Sequence, residues 1–233
     1  MPVATLINEL GEDLDGYATY RRFPRELPLD EAAEIAGFLH EQIDLGVEAR
    51  AQAIAQTTAK VACTRGCNGC CEEPIMVFRP ESARVAAWLE RPENAAAKEA
   101  FLAAFPAWQG RIGATLEQLS QLHVTDPQNY IAHHVAAWRE GVLCAFNRDG
   151  DCTVYPVRPT VCRTAHALET SEYCGGAAET PAKRVTFVPL DEFVARSRRL
   201  VVAAHNATAG DRGRPEALPH AVHALLASRN TVP

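Results

Sequence analysis

The stretch CTRGCNGCC, Cys63–Cys71, holds four of the chain's eight cysteines within nine residues, two of them adjacent. Thiols at this density suit disulfide cross-linking, metal ligation, radical chemistry on an iron–sulfur cluster, or apolar packing. Adjacent Cys70 and Cys71 make poor disulfide partners, because a bridge would strain the peptide between them. Free cysteine packs like a small hydrophobe, but packing gives no reason for the clustering. Thiolates are soft ligands for zinc and for iron–sulfur clusters, and short spacers let successive sulfurs face one centre. Gly66 and Gly69 supply the tight backbone turns that such a loop requires. Metal ligation is the leading reading. Two neighbouring sulfurs do not easily aim at one ion, so two metals or a polynuclear cluster is expected.

The other four cysteines, Cys144, Cys152, Cys162 and Cys174, follow with 7, 9 and 11 residues between them in a Gly-, Asp- and Pro-rich region. A zinc ribbon pairs two C-x₂-C knuckles, and here only Cys67–Cys70 has that spacing. The long, irregular second-half spacings put an iron–sulfur cluster slightly ahead of zinc. Cys63, Cys67 and Cys70 also spell the C-x₃-C-x₂-C spacing of radical S-adenosylmethionine enzymes. That family usually has an aromatic before the third cysteine, where this chain has Gly69. Its barrel also needs strands alternating with helices, which are not read around Cys63.

Both cysteine regions resemble one family. CTRGCNGCCEEPIMVFRPESARVAAWL is similar to the first half of the CxxCxxCC zinc- or iron-chelating domain family: a cysteine cluster, a Pro, a short apolar run and a helix with an early Glu. CAFNRDGDCTVYPVRPTVCR is similar to the second half, through Cys144, Phe146, Gly150, Cys152, Tyr155, Arg158, Pro159, Cys162 and Arg163. The chain departs from the pattern in a first spacer one residue longer, Cys63 to Cys67, and in a longer helical insert. The resemblance implies a chelating domain for zinc or iron, with Cys63, Cys67, Cys70, Cys71, Cys144, Cys152, Cys162 and Cys174 as the metal ligands. Flagellin lysine methylases resemble the family in their cysteine cluster. The chain shows no Gly-rich strand-turn-helix for S-adenosylmethionine.

Four thiolates around zinc or a [4Fe–4S] core leave net negative charge, costly away from water unless neutralised. Arg65, Arg79, Arg148, Arg158 and Arg163 lie near the cysteines in sequence. Arg158 and Arg163 fall within the matched block and are expected to compensate the centre, tuning it by hydrogen bonds. Tyr155 is expected to donate its hydroxyl to a sulfur or a carbonyl, or to pack as a core aromatic. His166 is the one histidine considered as a spare ligand. His134 reads as a satisfied core histidine and His133 as solvent-facing. Glu72 and Glu73 read as solvated carboxylates, with hard ligation of iron as the alternative.

The elements that position these residues are mainly helical. Ile35, Leu39, Ile43 and Val47 recur at four-residue spacing in a helix expected from Leu29–Asp30 toward Lys60, with Gly46 as a possible interruption. A second helix is expected from Arg79-Pro80-Glu81. A third, from Pro92, stripes Phe101, Phe105, Trp108, Ile112, Leu116 and Leu119, with Pro106 expected to kink or split it. A fourth follows Asp126-Pro127 with Ile131, Val135 and Trp138 inward. Two more are expected at about 190–205 and 219–228. Short strands are expected at Ile75–Phe78 and Val185–Val188, and a loop at 210–219. The fold class is therefore mostly α, with at most a small β-hairpin, built around two cysteine-rich loops that form a metal centre. Residues 1–62 are expected as an N-terminal helical segment. Residues 63–176 would be the metal-binding domain, with a helical insert at about 79–140 that brings the loops together. Residues 177–233 would be a helical tail packed on the same domain.

The net charge of −6 and pI near 5.8 exclude a basic nucleic-acid face. No apolar run approaches the roughly 20 residues of a membrane span. MPVATLINELGEDLDG has no basic n-region or long h-region. The expected location is the cytoplasm, where thiols stay reduced. Three function classes stay open: a redox or metal-dependent enzyme, a metal carrier, and a zinc-stabilised scaffold for a protein partner. A protein-modifying S-adenosylmethionine enzyme is a minor fourth. The expected partner is the metal ion itself.

Overall fold

The computed structural model describes residues 27–64, 66–178, 185–209 and 214–229. Seven α-helices and four two-residue strands make up the described chain: α1 Leu29–Ala55, β1 Met76–Val77, α2 Arg79–Leu89, α3 Ala95–Thr125, α4 Pro127–Arg139, β2 Asn147–Arg148, β3 Asp151–Cys152, α5 Thr160–Thr164, α6 Val188–Ala209, β4 Glu216–Ala217 and α7 Leu218–Arg229. The fold is mostly α, as its periodicity predicts.

Two apolar cores hold the helices. Ile35, Leu39 and Ile43 on α1 pack against Leu190, Phe193, Leu200, Val201 and Ala204 on α6. The stripe Phe101–Leu119 on α3 packs with Val85 and Leu89 on α2 and with Val222 and Leu226 on α7. Cys144, Cys152 and Cys162 pack against the second of these cores, the one that holds α7. α1 runs unbroken through Gly46, where Leu190 comes so close that a β-carbon would meet its Cδ1 at 2.7 Å. The helix ends at Ala55, short of Lys60.

Pro106 does not split α3, which runs from Ala95 to Thr125 with the proline inside it. Pro106 and Leu102 are both exposed, so water reaches the carbonyl that proline leaves without a donor. Burial of Phe101, Phe105 and Trp108 on the opposite side offsets the lost bond.

α4 corrects the expected face. Asp126 caps it, accepting from the Asn129 N–H at 3.2 Å, but Ile131 is 66 % exposed and Val135 is exposed too. The inward positions are Tyr130, His134, Ala137 and, as expected, Trp138, at i, i+4, i+7 and i+8. A short helix that packs mainly against α3 buries only this narrow stripe.

β1 pairs antiparallel with β4, Met76 opposite Ala217 and Val77 opposite Glu216. The 210–219 region thus contains a strand, not only a loop; residues 210–213 lie outside the described residues. Val185–Val188 is not a strand. Val185 makes one backbone bond, to the His166 carbonyl, and Val188 opens α6, whose start is tied by the Phe187 N–H donating to Asp191. Most of the expected 1–62 segment before α1 also lies outside the described residues.

The second hairpin, β2–β3, turns at Asp149-Gly150, both at positive φ of 52° and 90°. Asp-Gly is favoured there because the primed turn needs left-handed backbone at both positions.

Candidate metal centre

The chain returns through α2–α4 and brings the two cysteine regions together, although 72 residues separate Cys71 from Cys144. The Cys144 N–H donates to the Cys71 carbonyl at 2.8 Å. Upstream of the first cluster, Val61 forms an antiparallel bridge with Leu168, and the Ala62 and Glu169 amides bond across it.

The first region folds as successive tight turns: the Cys67 N–H bonds to the Thr64 carbonyl, Cys71 to Asn68 and Glu73 to Cys70. Gly66 sits at φ 86°. Gly69 opens the 3₁₀ turn Gly69–Glu72, and a β-carbon there would stand 2.7 Å from Cys174 Cβ. Glycine is thus required at both positions, by conformation at one and by crowding at the other. The second region is anchored by Phe146, fully buried and stacked on Phe101 with centroids 4.2 Å apart.

The eight cysteines are all free thiols, and they divide into two groups. Cys70, from the first region, is an electrostatic neighbour of Cys144, Cys152 and Cys162 from the second. As residues these four are half-buried, but three of the sulfurs are strongly desolvated. Burial first, and then neighbouring thiols, pushes Cys144 up to about 12 and raises Cys162 well above its ordinary value. Burial also raises Cys152. Two hydrogen bonds oppose this: the Phe146 amide donates to the Cys144 sulfur and the Val154 amide to the Cys152 sulfur. Each donor lies two residues after its cysteine, and each favours the thiolate. The Arg158 cation acts on Cys152 in the same direction.

Cys63 and Cys174 lie on the other side of the first loop. The Cys63 sulfur accepts from the Ala167 N–H at 3.2 Å. Cys174 is buried beside Ala167, and Cys63 packs against that pair. Cys67 and Cys71 are half-buried in the turns between the groups. Among the described residues, no three His, Cys, Asp or Glu side chains already stand at the spacing of an occupied metal site. The four coupled thiols are neighbours, not a preformed tetrahedron.

The expected helpers are distributed unequally. Arg158 stacks over Tyr155, 3.8 Å from the ring centroid, and donates to its own turn at the Tyr155 carbonyl, 2.8 Å. Tyr155 is 52 % exposed, so it is not a core aromatic. Arg163 is fully buried, but its donors go to the carbonyls of Arg158 and Pro156, both at 2.7 Å, and to the Asp44 carboxylate on α1. It holds the backbone of the cysteine loop. Arg148 is solvent-exposed beside Asp149 on the hairpin. Arg79 faces away, into a cleft with His205, Arg214 and Glu216. Arg65 lies outside the described residues. Glu72 is not simply solvated: it accepts the Gly176 N–H at 2.8 Å and ties the first region to the segment after Cys174. His134 is half-buried with Nε2 bonded to the Pro74 carbonyl at 3.0 Å, a satisfied histidine as expected.

Arg50 escapes the sequence reading, and the early Glu of the second helix, Glu81, appears there without a role. Arg50, fully buried on α1, donates to the Thr164 carbonyl at 3.1 Å and to His166 Nδ1, and its charge favours the Cys63 thiolate. Burial first, and then Arg50, lowers His166 to about 4, so the ring is neutral with Nδ1 as acceptor. Arg50 stands one turn beyond Gly46 on the buried stripe of Ile35, Leu39 and Ile43, a cation prolonging an apolar face. Glu81 on α2 is buried against His40 and Thr160. A carboxylate in the first helical turn also counters the helix dipole.

Soft donors in two loops folded against each other on a helical frame define a thiolate metal-binding class of protein. The profile of the CxxCxxCC family, described as a zinc- or iron-chelating domain, matches residues 62–180, just over half of the chain, and the chain belongs to that family. No curated protein and no solved structure matches the chain. No helix among the described residues is long and apolar enough to cross a membrane.

Proposed function

We propose that Cys70, Cys144, Cys152 and Cys162 ligate the principal metal centre of this protein, as an iron–sulfur cluster in preference to zinc. One observation supports this most: Cys70 of the first region is an electrostatic neighbour of three thiols of the second, and two of those receive amide N–H bonds from residues two positions on. Shielded thiols that repel one another's charge gain thiolate character most from a cation, and a coordinated thiol is deprotonated outright. The donor set therefore fits a thiophilic metal. The N–H···S bonds and Arg158 serve to stabilise the anionic sulfurs and to tune a reduction potential. A bound cluster would supply one-electron chemistry. Cys63 and Cys174 form a second group, a further site or a cover for the first, with Cys67 and Cys71 in the turns between.

The activity that follows is redox or metal-dependent, in a reducing compartment that keeps eight thiols free, with the metal ion as partner and no nucleic acid. Metal analysis with Mössbauer and EPR spectra on anaerobically purified protein tests this. Stoichiometric iron with acid-labile sulfide is the expected result. Stoichiometric zinc without sulfide would replace the redox reading with a zinc-stabilised scaffold or carrier.

A further inference from the structure

Cys162 stands on α5, a helix of only five residues. So short a helix has few backbone bonds of its own and leaves its first amides without internal partners. Glu81 supplies a partner from α2. Its Oε1 accepts the Thr160 N–H, at the first position of α5, over 2.8 Å. The same oxygen faces His40 Nε2 at 3.4 Å, and both residues are buried, at 6 % and 1 % exposure. His40 Nδ1 is buried with no hydrogen-bond partner. Protonating it would bury an unpaired donor, which costs free energy, so His40 stays neutral and donates through Nε2. On the other side, Arg163 joins α5 to Asp44 of α1 and to the turn that precedes it. α5 is clamped between α1 and α2.

The charge on Glu81 opposes a thiolate at Cys162. A carboxylate kept there despite that cost has a geometric task. We propose that Glu81 is a positioning residue for the metal centre: by capping α5 through Thr160 it aims the Cys162 sulfur at Cys70, Cys144 and Cys152. The proposal rests on the metal-centre reading above.

The test uses the full chain with cobalt(II) as the probe. Affinity is read by chelator competition, and ligand count by the intensity of the thiolate-to-cobalt charge-transfer band per bound cobalt. Glu81→Ala is expected to weaken cobalt binding roughly 10- to 100-fold, the range for residues that orient a ligand, and to lose the share of one thiolate from the band. Thr160→Pro should reproduce this, because proline suits the first helical position but has no N–H. Glu81→Gln keeps an oxygen acceptor and should recover most of the affinity and the band. Should Glu81→Ala fail to fold, the contrast between Glu81→Gln and Thr160→Pro gives the answer. A full band and wild-type affinity in Thr160→Pro, or Glu81→Gln falling as far as Thr160→Pro, would overturn the positioning role. Wild-type protein that binds cobalt with no charge-transfer band would overturn the metal-centre reading, and this proposal with it.

Discussion

Cys144 and Cys63 show how differently one protein can house a thiol. Around Cys144 the nearest charges are other sulfurs, solvent is excluded, and the only relief comes from backbone amides and, at Cys152, from Arg158. Around Cys63 the chain supplies its own cation, the buried Arg50, and an amide from Ala167. The first group is left wanting positive charge; the second is already compensated. A metal therefore contributes most where the protein contributes least, and substitutions in the two groups should have unequal consequences.

The largest effect is expected from the ligands themselves. Cys70→Ser and Cys162→Ser should each abolish metal retention in a chelator competition, whereas Cys63→Ser and Cys174→Ser should leave the principal centre loaded. Equal loss from all four would merge the two groups into one centre.

The metal-free protein should also betray the first group through pH. Cys144 titrates at about 12 in the fold, against an ordinary value of 9.0. The unfolded chain then releases this proton at lower pH than the folded one. Its contribution to stability is complete below pH 9 and lost as pH rises from about 9 toward 12. Urea unfolding across that range should show the decline, and Cys144→Ala should reduce it, leaving the share of Cys152 and Cys162. Metal binding runs with the opposite sign, since ligation expels the proton: affinity should rise with pH.

The arginines sharpen the contrast further. Arg158→Ala should weaken metal retention roughly 10-fold through Cys152, near the lower end of effects for outer partners, with Arg158→Lys a partial rescue because it keeps the charge but not the fork. Arg163→Ala should act first on stability, leaving two loop carbonyls short of a donor at about 1–3 kcal/mol each where they are buried. Thermal unfolding separates the two. The smallest effect, none on metal binding, is expected for Arg198→Ala on α6.

Much of this arrangement is legible in the sequence, because it is local. The aromatic stripe of α3, the Asp126 cap of α4 and the Asp149-Gly150 turn each declare themselves within a few residues. What is hidden depends on distant partners. Pro106 reads as a break because a sequence does not show which face of α3 meets water. Ile131 and Val135 read as inward because apolarity alone does not say how little of α4 is covered. Arg79 and Arg163 both fall in the sequence blocks that carry the cysteines, yet one faces a far cleft and the other a pair of loop carbonyls. Arg50 and Glu81 reach the cysteine region from helices far away in sequence, and only tertiary packing places them there.

The most direct measurement is metal K-edge X-ray absorption, with metal content, on anaerobically purified wild-type protein and on the Cys70→Ser/Cys162→Ser double variant. The account predicts stoichiometric iron or zinc in a sulfur shell in the wild type, at metal–sulfur distances of about 2.3 Å, and loss of that metal in the double variant. A shell of oxygen or nitrogen, or a double variant that keeps its full metal complement, would contradict it.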